Sequence, residues 1–173
     1  MRWKRWALLG GTFLILIISV LFYVKCIPSG ILLLSGVHKN DVVLVSDSNK
    51  WFHHYLYEKD GKLAGILTIQ RKGNSLFWSK YYNSTIKTEN KDGVRSIIVF
   101  KTSQPTIKNG MPLQNTVWGG EVALNGNVDQ NIDIIYKGDI RQPDIKKKEN
   151  GRIYFFYISN DVDNTDPIDV KVK

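Results

Sequence analysis

Two patterns of apolar residues divide the chain. From Trp6 to Val24 it reads WALLGGTFLILIISVLFYV, nineteen residues without a charge, and a helix of that length rises far enough to cross a hydrocarbon core of about 30 Å. From Asp41 onward no stretch of eleven or more residues keeps a 3.6-residue period. Short runs rich in Val, Ile, Tyr, Phe and Trp recur there between turn residues, which is the pattern of strands. The fold class expected is therefore mainly β: one N-terminal transmembrane helix, then one antiparallel β-sandwich or barrel-like domain built from hairpins. The organisation expected is a cytoplasmic basic flank over 1–5, a transmembrane signal anchor over 6–24, a stalk over 25–37 running into a first strand, and an extracytoplasmic β domain over 38–173.

Turn dipeptides place the strands, because two-residue hairpin loops need positive φ and favour Asn-Gly and Asp-Gly. Asp60-Gly61 joins Trp51–Glu58 to Leu63–Arg71, and Gly73-Asn74 turns that strand into Leu76–Tyr82, a three-stranded meander. Asp92-Gly93 leads from Thr85–Thr88 into Val94–Lys101, and Asn125-Gly126 separates Val117–Leu124 from Asn131–Lys137. Asn150-Gly151 opens Arg152–Ser159, and a last strand covers Ile168–Lys173. Thr102–Asn115, with Pro105, Gly110 and Pro112, and Gly138–Asn150, with Pro143 and Lys146-Lys147-Lys148, are predicted to be long connections.

Alternation assigns faces, since residues i and i+2 of a strand share a side. Ile132, Ile134 and Tyr136 alternate with Asp133, Ile135 and Lys137, and Ile168, Val170 and Val172 with Asp169, Lys171 and Lys173, so both strands are expected to be half buried. Ile153–Ile158 and Ile97–Phe100 are apolar on both sides and are expected to be central strands covered twice.

Charge orients the anchor. Arg2, Lys4 and Arg5 precede it and only Lys25 follows at once; the side richer in Lys and Arg stays cytoplasmic, which puts the β domain outside the cytoplasm at the cell membrane. Trp3 and Trp6 at one end, Phe22 and Tyr23 at the other, suit the interfacial belts. A cleaved signal peptide is disfavoured because Tyr23-Val24-Lys25-Cys26-Ile27-Pro28 offers no small-residue cleavage site, and lipidation of Cys26 because Val24-Lys25 precede the thiol. The roughly 145 residues beyond the anchor are the usual size of one domain. Twenty basic and sixteen acidic residues follow Lys25, a net of +4, which suits an anionic neighbour such as lipid headgroups or a wall polymer. Cys26 is the only thiol, so the domain must fold without an internal disulfide, as befits a cysteine-poor bacterial envelope better than an animal extracellular space. One glycosylation sequon, Asn83-Ser84-Thr85, matters only outside that setting.

Candidate chemistry is sparse. His53 and His54 are adjacent on a strand and point to opposite faces, which spoils them as a ligand pair. Asp161-Val162-Asp163-Asn164-Thr165-Asp166 begins like a calcium loop, but Asp166 occupies the glycine position and no twelfth-place Glu follows. Ser84-Thr85-Ile86-Lys87 matches S-x-x-K in a strand context that separates the two side chains. No catalytic residue, metal site or cofactor is therefore expected. The stronger cluster is aromatic: Trp51, Phe52, Tyr55, Tyr57, Phe77, Trp78, Tyr81 and Tyr82 all fall in the meander, with Leu76, Trp78 and Tyr82 on the face of Lys80. Such rings either pack a core or stack on a sugar or a partner protein. Trp118-Gly119-Gly120-Glu121 is a second cluster, expected to mark a bulge or a close backbone approach. The candidate ligand or partner residues are Trp51, Tyr55, Tyr57, Trp78, Trp118 and Glu121.

These features lead to a membrane-anchored extracytoplasmic β domain that acts as a binding or protein-interaction module of a bacterial envelope. In style the chain resembles the small single-anchor envelope proteins of Gram-positive bacteria. Its expected partners are the membrane, through the N-terminal helix, and an envelope protein or anionic wall polymer; nucleic acid is excluded by topology. The alternatives are an exported enzyme with a dispersed site and an immunity or accessory protein.

Overall fold

The charge-free run and its flanks form helix α1 (Arg2–Cys26). The computed structural model describes residues 2–71, 73, 75–84, 87–92, 95–108, 111–124, 130–162 and 166–173. Within α1, Leu9–Cys26 is long and apolar enough to cross a membrane by length and composition. Side chains from Leu9 to Tyr23 are exposed all round, leaving an apolar stretch uncovered by protein. Ile27 is extended (φ −110°, ψ 128°) and breaks the helix; Pro28, preset for a first turn, starts α2 (Pro28–Leu34). The segment expected to be a stalk thus holds a helix. Its Ile31 and Leu32, with Val37 beyond it, are buried against the first sheet.

Twelve strands follow among the described residues. Strands β1 (Val42–Asn49), β2 (Phe52–Lys59), β3 (Lys62–Arg71) and β4 (Trp78–Ser84) form an antiparallel meander, the first sheet. The next are β5 (Lys87–Asp92), β6 (Arg95–Lys108), β7 (Met111–Ala123), β8 (Ile132–Tyr136), β9 (Asp139–Arg141), β10 (Ile145–Glu149), β11 (Arg152–Val162) and β12 (Asp169–Val172). The middle sheet has the order β10-β11-β7-β6-β5 and the third sheet β12-β8-β9, every pairing antiparallel. The fold is thus mainly β, with an apolar N-terminal helix and open stacked sheets, and no barrel closes.

Residue parity stacks the layers. Tyr55, Tyr57, Leu67 and Ile69 pack under α2, whereas Leu44, Leu56 and Ile66 on the opposite face meet Phe100, Val117, Tyr154 and Phe156 of the middle sheet. That sheet's other face gives Ile97, Val99, Trp118, Val122, Ile153, Phe155 and Tyr157 to Ile132, Ile134 and Tyr136 of the third. The two strands apolar on both sides are therefore covered twice, as their pattern predicts. Fully buried rings such as Phe155 and Phe156 each contribute about 2–3 kcal/mol of transfer free energy.

The turn chemistry holds at Asp60-Gly61 (φ 53° and 71°) and Asn150-Gly151 (φ 49° and 71°), both with positive φ as type I′ loops require. Three expectations need correction, and a fourth, a bulge or a close approach at Gly119-Gly120, narrows to the close approach. Within Thr102–Asn115, residues 102–108 and 111–115 are strand, because β6 and β7 stay paired out to Lys108↔Met111. A proline fits such a ladder only where the N–H would point away from the partner, and Pro105↔Gln114 and Ile107↔Pro112, two residues apart, are pairs of one type. Gly138–Asn150 is not a plain connection but holds β9 and β10. Asn125-Gly126 lies outside the described residues, yet β7 and β8 belong to different sheets, so no hairpin joins them. Gly119-Gly120 carries no bulge, since register with β11 and β6 runs unbroken through it. The glycines serve close approach instead: a Cβ on Gly119 would lie 2.7 Å from the Phe156 ring and 2.9 Å from Ile66 Cδ1.

Candidate functional site

Successive turns of a meander leave at alternate ends, so the β1–β2 turn and the β3–β4 connection share one end of the first sheet. There the Arg71 amide donates to the Trp51 carbonyl at 2.8 Å, the Arg71 Nε donates to the Ser75 carbonyl, and the Phe77 amide donates to Ser75 Oγ at 3.0 Å. These bonds hold the connection in place while Leu76 and Phe77 stand 63% and 61% exposed. Trp51 is half-buried beside them with the Lys50 ammonium 4.8 Å from its ring centre, a cation–π contact. Phe52 and Tyr81 meet edge to face at 5.6 Å just inside this rim.

A register shift between Thr68 and Ile69 reshapes β4. Thr68 pairs with Tyr82 and Ile69 with Lys80, which makes Tyr81 an extra residue. One extra residue reverses face parity, so Tyr82 does not share the face of Trp78 and Lys80 as simple alternation expects. Trp78 is buried under α2, and Tyr82 is exposed.

The other sequence candidates fall elsewhere. Tyr55, Tyr57 and Trp78 are buried in the layer beneath α2. His53 joins them, its ring 4.5 Å from that of Trp78 and its Nδ1 3.2 Å from the Tyr55 hydroxyl. Burial, helped by Asp47, pushes the Tyr55 phenol up to about 12. Trp118 is buried between the middle and third sheets, stacked on Tyr157 at 5.8 Å and tilted against Tyr136 at 5.4 Å. Glu121 is 5% exposed and faces Arg152 at 3.4 Å. Of the six, Trp51 alone reaches the rim; Tyr55, Tyr57 and Trp78 are gathered in one buried layer, and Trp118 and Glu121 lie apart from them on β7.

Two polar groups sit between the first and middle sheets. At one end His54 bridges Thr68 and Gln104, with Thr102 3.4 Å from Thr68. At the other, Glu58 of β2 accepts from the Tyr154 hydroxyl at 2.7 Å and from Arg152 at 3.0 Å, both on β11. Burial first, then the bond to Glu58, pushes Tyr154 up to about 12, so the phenol remains a donor. Both groups cross from layer to layer and bond inward. Among the described residues no group of three or more His, Cys, Asp or Glu could hold a metal ion. His53 and His54 point to opposite faces, as their adjacency predicts; residues 85–86 of the S-x-x-K match and 163–165 of the acidic loop lie outside the described residues.

No known protein family, curated protein or solved structure matches the chain. The signal for the rim was present in sequence as Leu76-Phe77 beside a turn, two large apolar residues where a polar loop is the norm.

Proposed function

We propose that this is a single-pass membrane protein whose β domain lies outside the cytoplasm and works by binding, with the rim of Trp51, Leu76 and Phe77 as its contact surface. The observation that carries the reading is the exposure of Leu76 and Phe77 on a backbone fixed by hydrogen bonds. Large apolar side chains held in water leave transfer free energy unrealised until a partner covers them. Lys50 over the Trp51 ring and Arg71 bonded to Ser75 suit an anionic envelope protein or wall polymer, and a flat ring beside a cation suits a sugar face. Arg2, Lys4 and Arg5 in the first turn of α1 and the single Lys25 in its last turn support the orientation.

A photo-crosslinking residue placed at Phe77 in intact cells tests the reading, with Ile140, an equally exposed apolar residue on the third sheet, as reference. Discrete adducts are expected from position 77, lost on Trp51→Ala together with Leu76→Ser, and absent from position 140. Equal yields at both positions would remove the case for the rim. Protease added to wall-less cells tests topology separately: the β domain should be digested and the N-terminal stub protected.

A further inference from the structure

Apart from Ser29, every side chain of helix α2 is apolar. A short helix on the surface of a water-soluble domain turns polar residues outward, but Pro28–Leu34 reads PSGILLL, with Ile31 and Leu32 buried on the first sheet and Leu33 and Leu34 turned outward, 53% and 61% exposed. Its place explains what covers the outer pair. Only Ile27 separates α2 from α1, and α2 folds back beside the last turn of α1 rather than continuing beyond it. Gly30 abuts the Tyr23 carbonyl, and a Cβ there would lie 2.7 Å from the Val24 Cα. A seven-residue helix is about 10 Å long, so Leu33 and Leu34 stay close to the level at which α1 ends. If Leu9–Cys26 fills the hydrocarbon core, that level is the headgroup layer, roughly 5–8 Å deep on each side. Phe22 and Tyr23 are exposed there, as residues of an interfacial belt would be, and Lys25 and Lys39 flank the site as cations for anionic headgroups. Strand β4 touches both helices, which fastens the domain at this junction.

We infer that α2 is a foot: Ile27, Leu33 and Leu34 enter the interfacial layer of the bilayer that α1 crosses, and the β domain is seated directly on the lipid surface. The inference rests on the membrane reading of α1 and adds the occupant of a second surface.

Nitroxide labels on the full-length chain test it. The chain is reconstituted in phosphatidylglycerol–phosphatidylcholine vesicles with Cys26→Ser and one added cysteine at a time: Leu14→Cys in the middle of α1, Leu34→Cys on α2, and Ile140→Cys on the third sheet, several layers from α2. All three positions are exposed, so none removes a core contact. Collision rates with oxygen, which concentrates in lipid, and with a water-soluble nickel chelate are compared. The oxygen-to-nickel ratio at position 34 is expected to exceed that at 140 several-fold and to fall below that at 14. A lipid-like ratio at 14 with a water-like ratio at 34 overturns the foot and leaves the anchor standing. A water-like ratio at 14 overturns both. Dipolar broadening at 34, with shielding from both reagents, shows a second copy on that face and overturns the lipid assignment.

Discussion

His54 and Gln104, fifty residues apart in sequence, meet across the two sheets with Nε2 2.8 Å from Oε1. The carbonyl oxygen of an amide only accepts, so Nε2 carries the proton and Nδ1 accepts from the Thr68 hydroxyl at 2.9 Å. The ring is neutral. Burial opposes a second proton and outweighs the help of Gln104, holding the ring at about 4 against an ordinary 6.5. The folded pKa lies below the unfolded one, so as pH falls the unfolded chain takes the proton first. The stabilisation is whole above about 6.5 and is lost on the way down to about 4, at most ~3 kcal/mol. Urea midpoints measured between pH 7.5 and 5, above most carboxylate titration, should fall for the parent and stay flatter for His54→Gln. Parallel curves would show that His54 does not carry the acid sensitivity.

Arg152 joins Glu58 of the first sheet to Glu121 of the middle one. Removing it in Arg152→Met leaves the Glu121 carboxylate buried without this partner, at a cost of about 2 kcal/mol once the partial exposure of the arginine is discounted. Tyr154→Phe forfeits one hydrogen bond to Glu58, about 1 kcal/mol. In a double-mutant cycle the two losses should not add, because both act on the same carboxylate.

The Ser46 hydroxyl is buried with no hydrogen-bond partner. Burying an unpaired hydroxyl costs about 1–3 kcal/mol, so Ser46→Ala should raise the melting temperature or leave it unchanged. A fall of several degrees would mean that the hydroxyl is paired.

Aromatic truncation separates packing from recognition. Tyr57→Ala and Trp78→Ala empty the layer beneath α2 and should cost about 2–5 kcal/mol. Phe77→Ala removes an exposed ring and should cost under about 0.5 kcal/mol. The order of their urea midpoints checks both assignments.

Two glycines should fail for different reasons. Gly61 has φ +71° and open space around its missing Cβ, so Gly61→Val measures backbone strain alone, about 1–3 kcal/mol, with Gly61→Asn costing less. Gly119→Ala drives a methyl into Phe156 and Ile66 with no positive φ involved, an overpacking cost of about 1–3 kcal/mol. A second substitution, Phe156→Leu, should relieve part of the loss at Gly119 and none at Gly61.

Much of the fold was legible because local chemistry and global packing agree in it. Asp60-Gly61 and Asn150-Gly151 announce their hairpins, and the doubly apolar Ile153–Ile158 announces a strand covered on both faces. The long β6–β7 pairing was obscured by Pro105 and Pro112, which read as breakers until the register shows both in outward-facing positions; Asn109-Gly110, the two residues between Lys108 and Met111, was the overlooked signal. Helix α2 is too short for a period to emerge. The face of Tyr82 needed the structure, because a bulge at Tyr81 reverses parity and nothing in Trp78–Ser84 marks it. Tyr55, Tyr57 and Trp78 share composition with a binding face, and the helix laid over them comes from a segment without strand character.

The β6–β7 ribbon pairs residue for residue from Lys108↔Met111 back to Ile97↔Val122. Closing a two-residue loop is entropically cheap, and each further pair extends a ladder already begun. Pairing β12 with β8, by contrast, brings together Val172 and Ile132 across the intervening β9, β10 and β11. The ribbon is thus the expected folding nucleus and the third sheet a late addition. Core truncations such as Val117→Ala should slow refolding, whereas Ile134→Ala should leave the refolding rate nearly unchanged and speed unfolding.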